Sequence, residues 1–190
     1  MATRNIKDKL IKLVIKEIDK GNWNILTISY MSNALKVSPK KVLSICSSKH
    51  DLLDSWSQNV NEEMVKNIST EELKEVPIKE RILELMLCRF DVLSKKRKEI
   101  NILVQLSKSN LKESRNSLKR IHKSMGFICN YADVSTKGSQ GVLKVKAITI
   151  IWLLAFKEWW KNGMRNEDKL MSQLDKKLLF AEKLKSIIYD

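Results

Sequence analysis

The stretch that decides the fold is residues 26–43: Leu26-Thr27-Ile28-Ser29-Tyr30-Met31-Ser32-Asn33-Ala34-Leu35-Lys36-Val37-Ser38-Pro39-Lys40-Lys41-Val42-Leu43. Thr27 is a favourable helix N-cap, and apolar residues follow it at helical spacing up to Leu35. Ser38 is a second N-cap, and Pro39 stands at the first helical position, where no intrahelical N–H is needed. The connection from Leu35 to Pro39 is too short for the two helices to lie antiparallel, so they are expected to cross steeply as a helix-turn-helix.

Helical signals continue on both sides of this stretch. A first helix has apolar residues from Ile6 to Ile18 and a stop at Gly21. A fourth helix follows Ser47-Ser48, and residues 70–77 then form an acidic break. Beyond the break, further segments show helical apolar spacing: Ile78–Leu93, Ile100–Leu106, Leu111–Tyr131, Val142–Trp160 and Asp168–Ile188.

The composition agrees with a helical protein. Of 190 residues, 43% are apolar, which is enough for a core of normal size. Only 5 Gly and 2 Pro are present, too few for the many tight turns of an all-β fold or the glycine-rich loops of a βα scaffold. We therefore predict an all-α protein of about nine helices, with a three-helix N-terminal helix-turn-helix domain at residues 1–56 and a larger helical bundle at residues 57–190.

Several classes of function lack support in the sequence. The two histidines, His50 and His122, show no metal-ligand spacing, and no nucleophile elbow, phosphate loop or dinucleotide motif is present. We expect a protein that is not an enzyme and has neither metal nor cofactor. Three widely spaced cysteines and the absence of a signal peptide predict a cytoplasmic location. The longest uncharged apolar run, Ala147 to Phe156, is too short to cross a bilayer.

Positive charge is the main indication of a partner. The chain has 36 Lys and Arg against 22 Asp and Glu, a formal net charge of +14. This excess predicts a polyanion, either a nucleic acid backbone or an anionic membrane surface. The densest part, from Lys95 to Lys123, has ten basic and two acidic residues. It could flank DNA, bind lipid headgroups or serve only as a solubilising face, and the sequence leaves these three interpretations open.

Residues 26–39, continued by Ser48-Lys49-His50-Asp51-Leu52-Leu53, resemble the DNA-binding segment of TetR-family repressors. Thr27 stands where that family begins its second helix, and Val37-Ser38-Pro39 where it begins the recognition helix. The pattern covers about 50 residues, and its caps, turn and apolar positions all agree in register with the family. The resemblance implies a homodimer that binds a palindromic DNA operator through the helix-turn-helix.

Two departures from the family pattern affect this expectation. Lys36 occupies the turn position where the family usually has glycine, at a cost of about 1 kcal/mol if the turn is left-handed. Leu43, Ile45 and Cys46 replace an aromatic cluster whose tyrosine reaches a phosphate in the family. The phosphate contact of that tyrosine is therefore missing here.

The expected DNA-contacting residues lie in and beside the recognition helix. We expect the N-terminal end of this helix to enter the major groove, and Lys49, at a helix start, to hold a phosphate together with backbone N–H groups. The alternative is a solvated lysine face on a small helical domain. The predicted DNA-binding residues are Thr27, Ser38, Lys40, Lys41, Ser44 and Lys49.

A second resemblance points to a different function for the same architecture. Gly21-Asn22-Trp23, Asp133-Val134-Ser135-Thr136 and Lys144-Val145-Lys146-Ala147 are similar to segments of the lipid-binding accessory proteins of ubiquinone biosynthesis. That group resembles TetR-family repressors in fold, but it holds an isoprenoid lipid in its C-terminal cavity and docks on membranes. The alternative function is thus a lipid-binding accessory protein, peripheral to the inner membrane, that does not read DNA.

Apolar residues of the bundle are candidates for a ligand cavity, because methionine and aromatic side chains adapt to varied apolar ligands. The TetR resemblance implies a small apolar or lipid ligand that controls DNA binding. An ordinary core is the alternative. The predicted ligand-binding residues are Met86, Phe90, Leu103, Ile121 and Met125.

The helix at residues 142–160 is apolar on nearly every side between Ala147 and Phe156, so its own bundle and another surface are expected to cover it. A second subunit is the simplest cover, in an isologous four-helix interface formed with the last helix. The predicted interface residues are Ile151, Trp152, Trp159, Leu174 and Leu178.

Overall fold

The structure is a computed structural model that describes residues 2–66, 68–164 and 167–189. Over these residues the chain forms ten α-helices and one short 3₁₀ helix, Trp23–Ile25, and no strand. The predicted all-α class is confirmed. The α-helices are α1 (Ala2–Asp19), α2 (Ile28–Leu35), α3 (Pro39–Leu43), α4 (Lys49–Val65), α5 (Thr70–Glu75), α6 (Ile78–Ser94), α7 (Arg97–Ser109), α8 (Leu111–Tyr131), α9 (Gly138–Lys161) and α10 (Glu167–Tyr189).

Helix α5 lies in the acidic segment that the sequence analysis treated as a break. Ser69 provides its N-cap, and the Ser69 hydroxyl accepts a hydrogen bond from the Glu72 N–H at 3.3 Å. Glu71 and Glu72 in the first turn interact favourably with the positive end of the helix dipole. Capping and acidic residues are therefore enough to form a single short helix here.

The chain divides into two compact units. The first contains the chain up to Asn59 together with Lys98–Arg120, and the second contains Val60–Arg97 and the chain from Ile121 onward. Helix α4 contributes to both units, since the division falls between Asn59 and Val60. The segment 98–120, which the sequence analysis placed in the bundle, thus lies with the helix-turn-helix.

The first unit has a single apolar core formed by α1, the helix-turn-helix, the start of α4, and α7. Ile102 and Leu106 of α7 are buried in this core, which explains why residues 98–120 belong to the first unit. The indole Nε1 of Trp56 on α4 also donates a hydrogen bond to the carboxylate of Glu99 on α7. The buried residues of this core are Leu10, Ile11, Val14, Ile15, Trp23, Leu26, Met31, Val42, Cys46, Leu52, Leu53, Ile102 and Leu106.

The second unit packs α6, α9 and α10 around an aromatic cluster. The Phe90 ring centroid lies 5.6 Å from that of Trp152 and 5.1 Å from that of Trp159, and Trp152 also stacks on Phe156 at 4.9 Å. An ion pair of 2.8 Å between Lys79 Nζ and Asp175 Oδ1 connects α6 and α10. The start of α9 lies so close to the preceding loop that a Cβ at Gly141 would stand 2.2 Å from the Thr136 carbonyl carbon.

Within the described residues, one helix, α9, is long and apolar enough to cross a membrane by length and composition. One side of it is buried in the second unit through Val145, Ile148, Trp152, Ala155 and Trp159. Apolar residues on its other side, such as Ile150 and Leu154, are exposed.

Candidate nucleic-acid interface

The structure caps the two helices of the helix-turn-helix at the predicted residues. Thr27 has extended backbone geometry, and its hydroxyl accepts a hydrogen bond from the Tyr30 N–H at 3.1 Å. The Ser38 hydroxyl accepts one from the Lys41 N–H at 3.3 Å, and Pro39 opens α3. Thr27 and Ser38 therefore have structural roles as caps, and both side chains are exposed.

The turn between α2 and α3 is left-handed at Lys36. This residue has φ 53° and ψ 44°, a conformation that favours glycine. The Lys36 N–H donates to the Asn33 carbonyl at 3.2 Å, and the Val37 N–H donates to the Ser32 carbonyl at 3.0 Å. Lysine thus adopts the turn that glycine would make without strain.

Helix α3 is anchored by one side and exposes the other. Val42 is fully buried in the core of the first unit, whereas Lys40, Leu43 and Ser44 are exposed and Lys41 is half-buried. The helix itself ends at Leu43, but the Cys46 N–H still donates to the Val42 carbonyl at 3.0 Å. The exposed side therefore presents one ammonium group, one hydroxyl and one leucine, with a second ammonium group at its edge.

The first turn of α4 is capped by a carboxylate of the chain itself. Asp51 Oδ2 accepts hydrogen bonds from the Ser47 N–H at 2.8 Å, the Ser47 hydroxyl at 2.6 Å and the Ser48 N–H at 3.0 Å. These bonds, above all the one from the Ser47 hydroxyl, hold the pKa of Asp51 below its usual value. The Ser47 and Ser48 N–H groups, which immediately precede α4, thus already have an anionic acceptor.

The Lys49 side chain is partly buried and contacts Trp23 within the first unit. Its ammonium group donates a hydrogen bond to the Trp23 carbonyl oxygen and lies 4.2 Å from the centroid of the Trp23 ring, within cation–π range. Burial lowers the pKa of Lys49. The side chain therefore connects the start of α4 to the 3₁₀ helix before α2.

Glu113, in the first turn of α8, contacts both Trp23 and His50. Its Oε1 accepts a hydrogen bond from Trp23 Nε1 at 3.2 Å, and its Oε2 lies 3.8 Å from His50 Nδ1. The Glu113 residue is only 3% exposed. The Trp23 and His50 rings meet edge to face at 5.1 Å, and Trp23, Lys49, His50 and Glu113 form one cluster in which Trp23 and Glu113 are buried.

The contacts of Trp23, Asp51 and Glu113 in this region were not predicted from the sequence. A signal existed for Asp51, because an acidic residue three positions after a serine at a helix start is typical of an N-terminal cap. No local signal connects Trp23 with Glu113, which lie 90 positions apart in the chain.

The predicted ligand-binding residues are not brought together in one place. Met86, Phe90 and Met125 are buried in the second unit, and Ile121 is half-buried there. Leu103 packs against the apolar core of the first unit instead. The reason is that α7 turns its apolar face toward the helix-turn-helix core.

A cavity of about 570 Å³ lies in the first unit, between the end of α1 with the 3₁₀ helix and α7. None of the five predicted ligand-binding residues lines it. Its lining combines apolar side chains with carboxamides, one carboxylate and one hydroxyl: Ile18, Asp19, Gly21, Trp23, Asn24, Asn101, Ile102, Gln105, Leu106, Ser109 and Asn110.

The predicted dimer-interface residues face the interior of their own chain. Ile151, Trp152, Trp159, Leu174 and Leu178 are at most 7% exposed in the single chain. Other apolar positions of the same two helices are open to solvent: Val142, Leu143, Ile150 and Leu154 on α9, and Met171, Leu179 and Phe180 on α10.

Comparison with known proteins shows which known fold this architecture resembles. Neither a scan against protein-family models nor a search of curated proteins found a match. A search of solved structures found a TetR transcriptional regulator from Nitrosomonas europaea, with a TM-score of 0.63 and 17% sequence identity. The similarity covers 94% of this chain and 98% of that one. At this identity the likeness concerns the fold, and the chain has a TetR-like fold.

Proposed function

We propose that the protein is a transcriptional regulator that binds DNA through its helix-turn-helix, and that it is not an enzyme. The observation that carries this proposal is the orientation of α3: Val42 anchors it in the core while Lys40, Leu43 and Ser44 are open to solvent. A helix held in this way can enter the major groove without unfolding its domain. The TetR-like fold and the net charge of +14 support the proposal.

The chemistry of α3 divides into phosphate contacts and base contacts. Lys40 and Lys41 each neutralise one phosphate and release counterions from it. The Ser44 hydroxyl donates to the Lys41 carbonyl at 2.8 Å and keeps its lone pairs for a base edge or a phosphate. Leu43 is 56% exposed and fits the methyl group of thymine, which only the major groove presents. Lys49, held by Trp23, has a structural role in this proposal.

The protein works as a homodimer in this proposal, so that two copies of α3 bind a palindromic operator. The supporting surface is the exposed apolar side of α9, where Leu143, Ile150 and Leu154 share one helix face because they are seven and four positions apart. Met171 and Phe180 on α10 are also exposed. These residues replace the predicted buried anchors as the interface, and Ile150→Glu with Leu154→Glu is expected to give monomers in sedimentation velocity.

In this proposal a small apolar ligand controls DNA binding, and the protein acts in the cytoplasm. A ligand that releases the operator must bind the DNA-free conformation more tightly than the DNA-bound one. Thermal-shift screening of apolar compounds, followed by DNA release assays with each hit, tests this part.

The DNA-binding part is tested by titrating labelled duplexes at several salt concentrations. We expect a sequence-dependent component, and we expect Lys40→Ala with Lys41→Ala to reduce the slope of log K against log salt by about 2, since each phosphate contact contributes about 0.9. Lys74→Ala with Lys137→Ala removes the same charge from exposed lysines of the second unit and serves as the control. Binding without any sequence dependence would contradict the proposal.

A further inference from the structure

The first turns of α8 run alongside the first turns of α4. Glu113 on α8 lies 3.8 Å from His50 on α4, and seven positions later Arg120 Nη1 lies 3.8 Å from Asp54 Oδ1. Both pairs belong to the first unit. Since α4 begins six positions after the end of α3, this part of α8 lies beside the region that follows the recognition helix.

The solvent side of this part of α8 is strongly basic. Lys112, Arg115 and Lys119 are exposed. Between residues 100 and 132 the sequence contains one acidic residue, Glu113, and that residue is 3% exposed in contact with Trp23. The segment therefore presents a cationic surface with no exposed carboxylate of its own.

The positive charges of α8 also act on the titratable groups at the start of α4. Burial is the main reason why the pKa of His50 is lowered, and the charges of Arg120, Lys112 and Lys49 lower it further, against the opposing effect of Glu113. Lys112 also lowers the pKa of Lys49, in addition to burial and against Glu113. The charge of Lys112 thus contributes to the lowered pKa values of Lys49 and His50 in the first turn of α4.

We propose that Lys112, Arg115 and Lys119 form a second phosphate-binding surface, which contacts the DNA backbone outside the major-groove site of α3. This inference rests on the proposed function and extends it to a longer stretch of duplex. The three residues span about 10 Å along α8, and each adds one positive charge that can neutralise a backbone phosphate. Each phosphate neutralised in this way releases counterions and adds to the affinity for the DNA backbone.

The surface also contains Leu111, 66% exposed, and Leu118, 48% exposed. Exposed leucines among cations are typical of helices that lie on anionic membranes. DNA is the favoured partner because this surface belongs to the same compact unit as the helix-turn-helix and borders α4. Membrane binding is the competing outcome of the test.

The test uses a specific binding site obtained by selection from random duplexes. It compares two duplexes that carry this site, one trimmed to the site and one extended by about one helical turn on each side. The variant is Lys112→Gln, Arg115→Gln and Lys119→Gln, and Lys74→Gln, Lys137→Gln and Lys176→Gln is the charge-matched control with exposed lysines of the second unit. On the extended duplex the variant is expected to lower the salt slope by about 2.7, three contacts at about 0.9 each. On the trimmed duplex it should behave like the control, with unchanged sequence preference.

Equal behaviour of variant and control on the extended duplex would overturn this inference, and sequence-specific binding by the wild type would then leave the proposed function standing. If the wild type itself shows no sequence-specific binding, both this inference and the proposed function are overturned. The same proteins are sedimented with vesicles of phosphatidylcholine and phosphatidylglycerol. If the variant loses vesicle binding while its DNA binding matches the control, the surface binds lipid and the inference is wrong. Circular dichroism confirms that the variants are folded.

Discussion

The indole Nε1 of Trp23 donates a hydrogen bond to Glu113 Oε1 across 3.2 Å, and this bond joins the segment before α2 to the first turn of α8. The Lys49 ammonium group donates a hydrogen bond to the Trp23 carbonyl oxygen and lies over the Trp23 ring. The position of the helix-turn-helix within the first unit is therefore defined by contacts with α8 and α4 as well as by its own core.

Glu113→Ala is expected to destabilise the protein by about 1–3 kcal/mol, because it leaves the buried Trp23 N–H without an acceptor. Urea unfolding of the wild type, of Glu113→Ala, of Trp23→Phe and of the double variant measures the coupling. We expect the double variant to lose less than the sum of the single variants. Strict additivity would show that the hydrogen bond contributes nothing.

His50 gives stability that depends on pH. Burial lowers the pKa of His50 below its ordinary value of 6.5, so the unfolded chain takes up a proton at a pH where the folded protein does not. Stability is therefore expected to fall as the pH drops through about 6.5. Urea unfolding at several pH values should show a flatter profile for His50→Gln than for the wild type. Parallel profiles would contradict the assignment.

Lys36→Gly is expected to raise the free energy of unfolding by about 1 kcal/mol relative to Lys36→Ala, since only glycine adopts the left-handed turn without strain. Both variants remove the same charge, so their difference isolates the backbone effect. Urea unfolding measures it. A more stable alanine variant would mean that the turn is not left-handed.

Gly141→Ala is expected to destabilise the second unit by about 1–3 kcal/mol, because the added methyl group would meet the Thr136 backbone at 2.2–2.8 Å. Gly126→Ala on α8 is the matched control, since its nearest neighbour would be Val145 Cγ1 at 3.9 Å. Thermal unfolding should lower the Tm of the first variant and keep or raise that of the second. Equal Tm values for the two would disprove the close approach of α9 to Thr136.

The helix-turn-helix could be predicted from the sequence because its determinants are local. Thr27, Ser38 and Pro39 act within three residues of their own positions, and caps of this kind leave a readable pattern. The all-α class followed from spacing that repeats along the whole chain.

What depends on tertiary packing could not be predicted. Helix α9 is apolar on nearly every side, so its pattern does not show that Trp152 faces the core of its own chain and Ile150 faces solvent. Lys49 has the local context of a phosphate contact, and its actual partner, Trp23, comes from another part of the chain. Leu103 was assigned to the bundle for the same reason, because nothing local shows that α7 packs on the helix-turn-helix.

Sequence-specific DNA binding through α3 is tested by selection from a library of random duplexes with the purified wild-type protein. The variant Lys40→Ala/Lys41→Ala/Leu43→Ala is taken through the same selection in parallel. We predict enrichment of a palindrome whose half-sites are read in the major groove, and loss of that enrichment in the variant. A wild-type pool that stays random after repeated rounds would contradict the account.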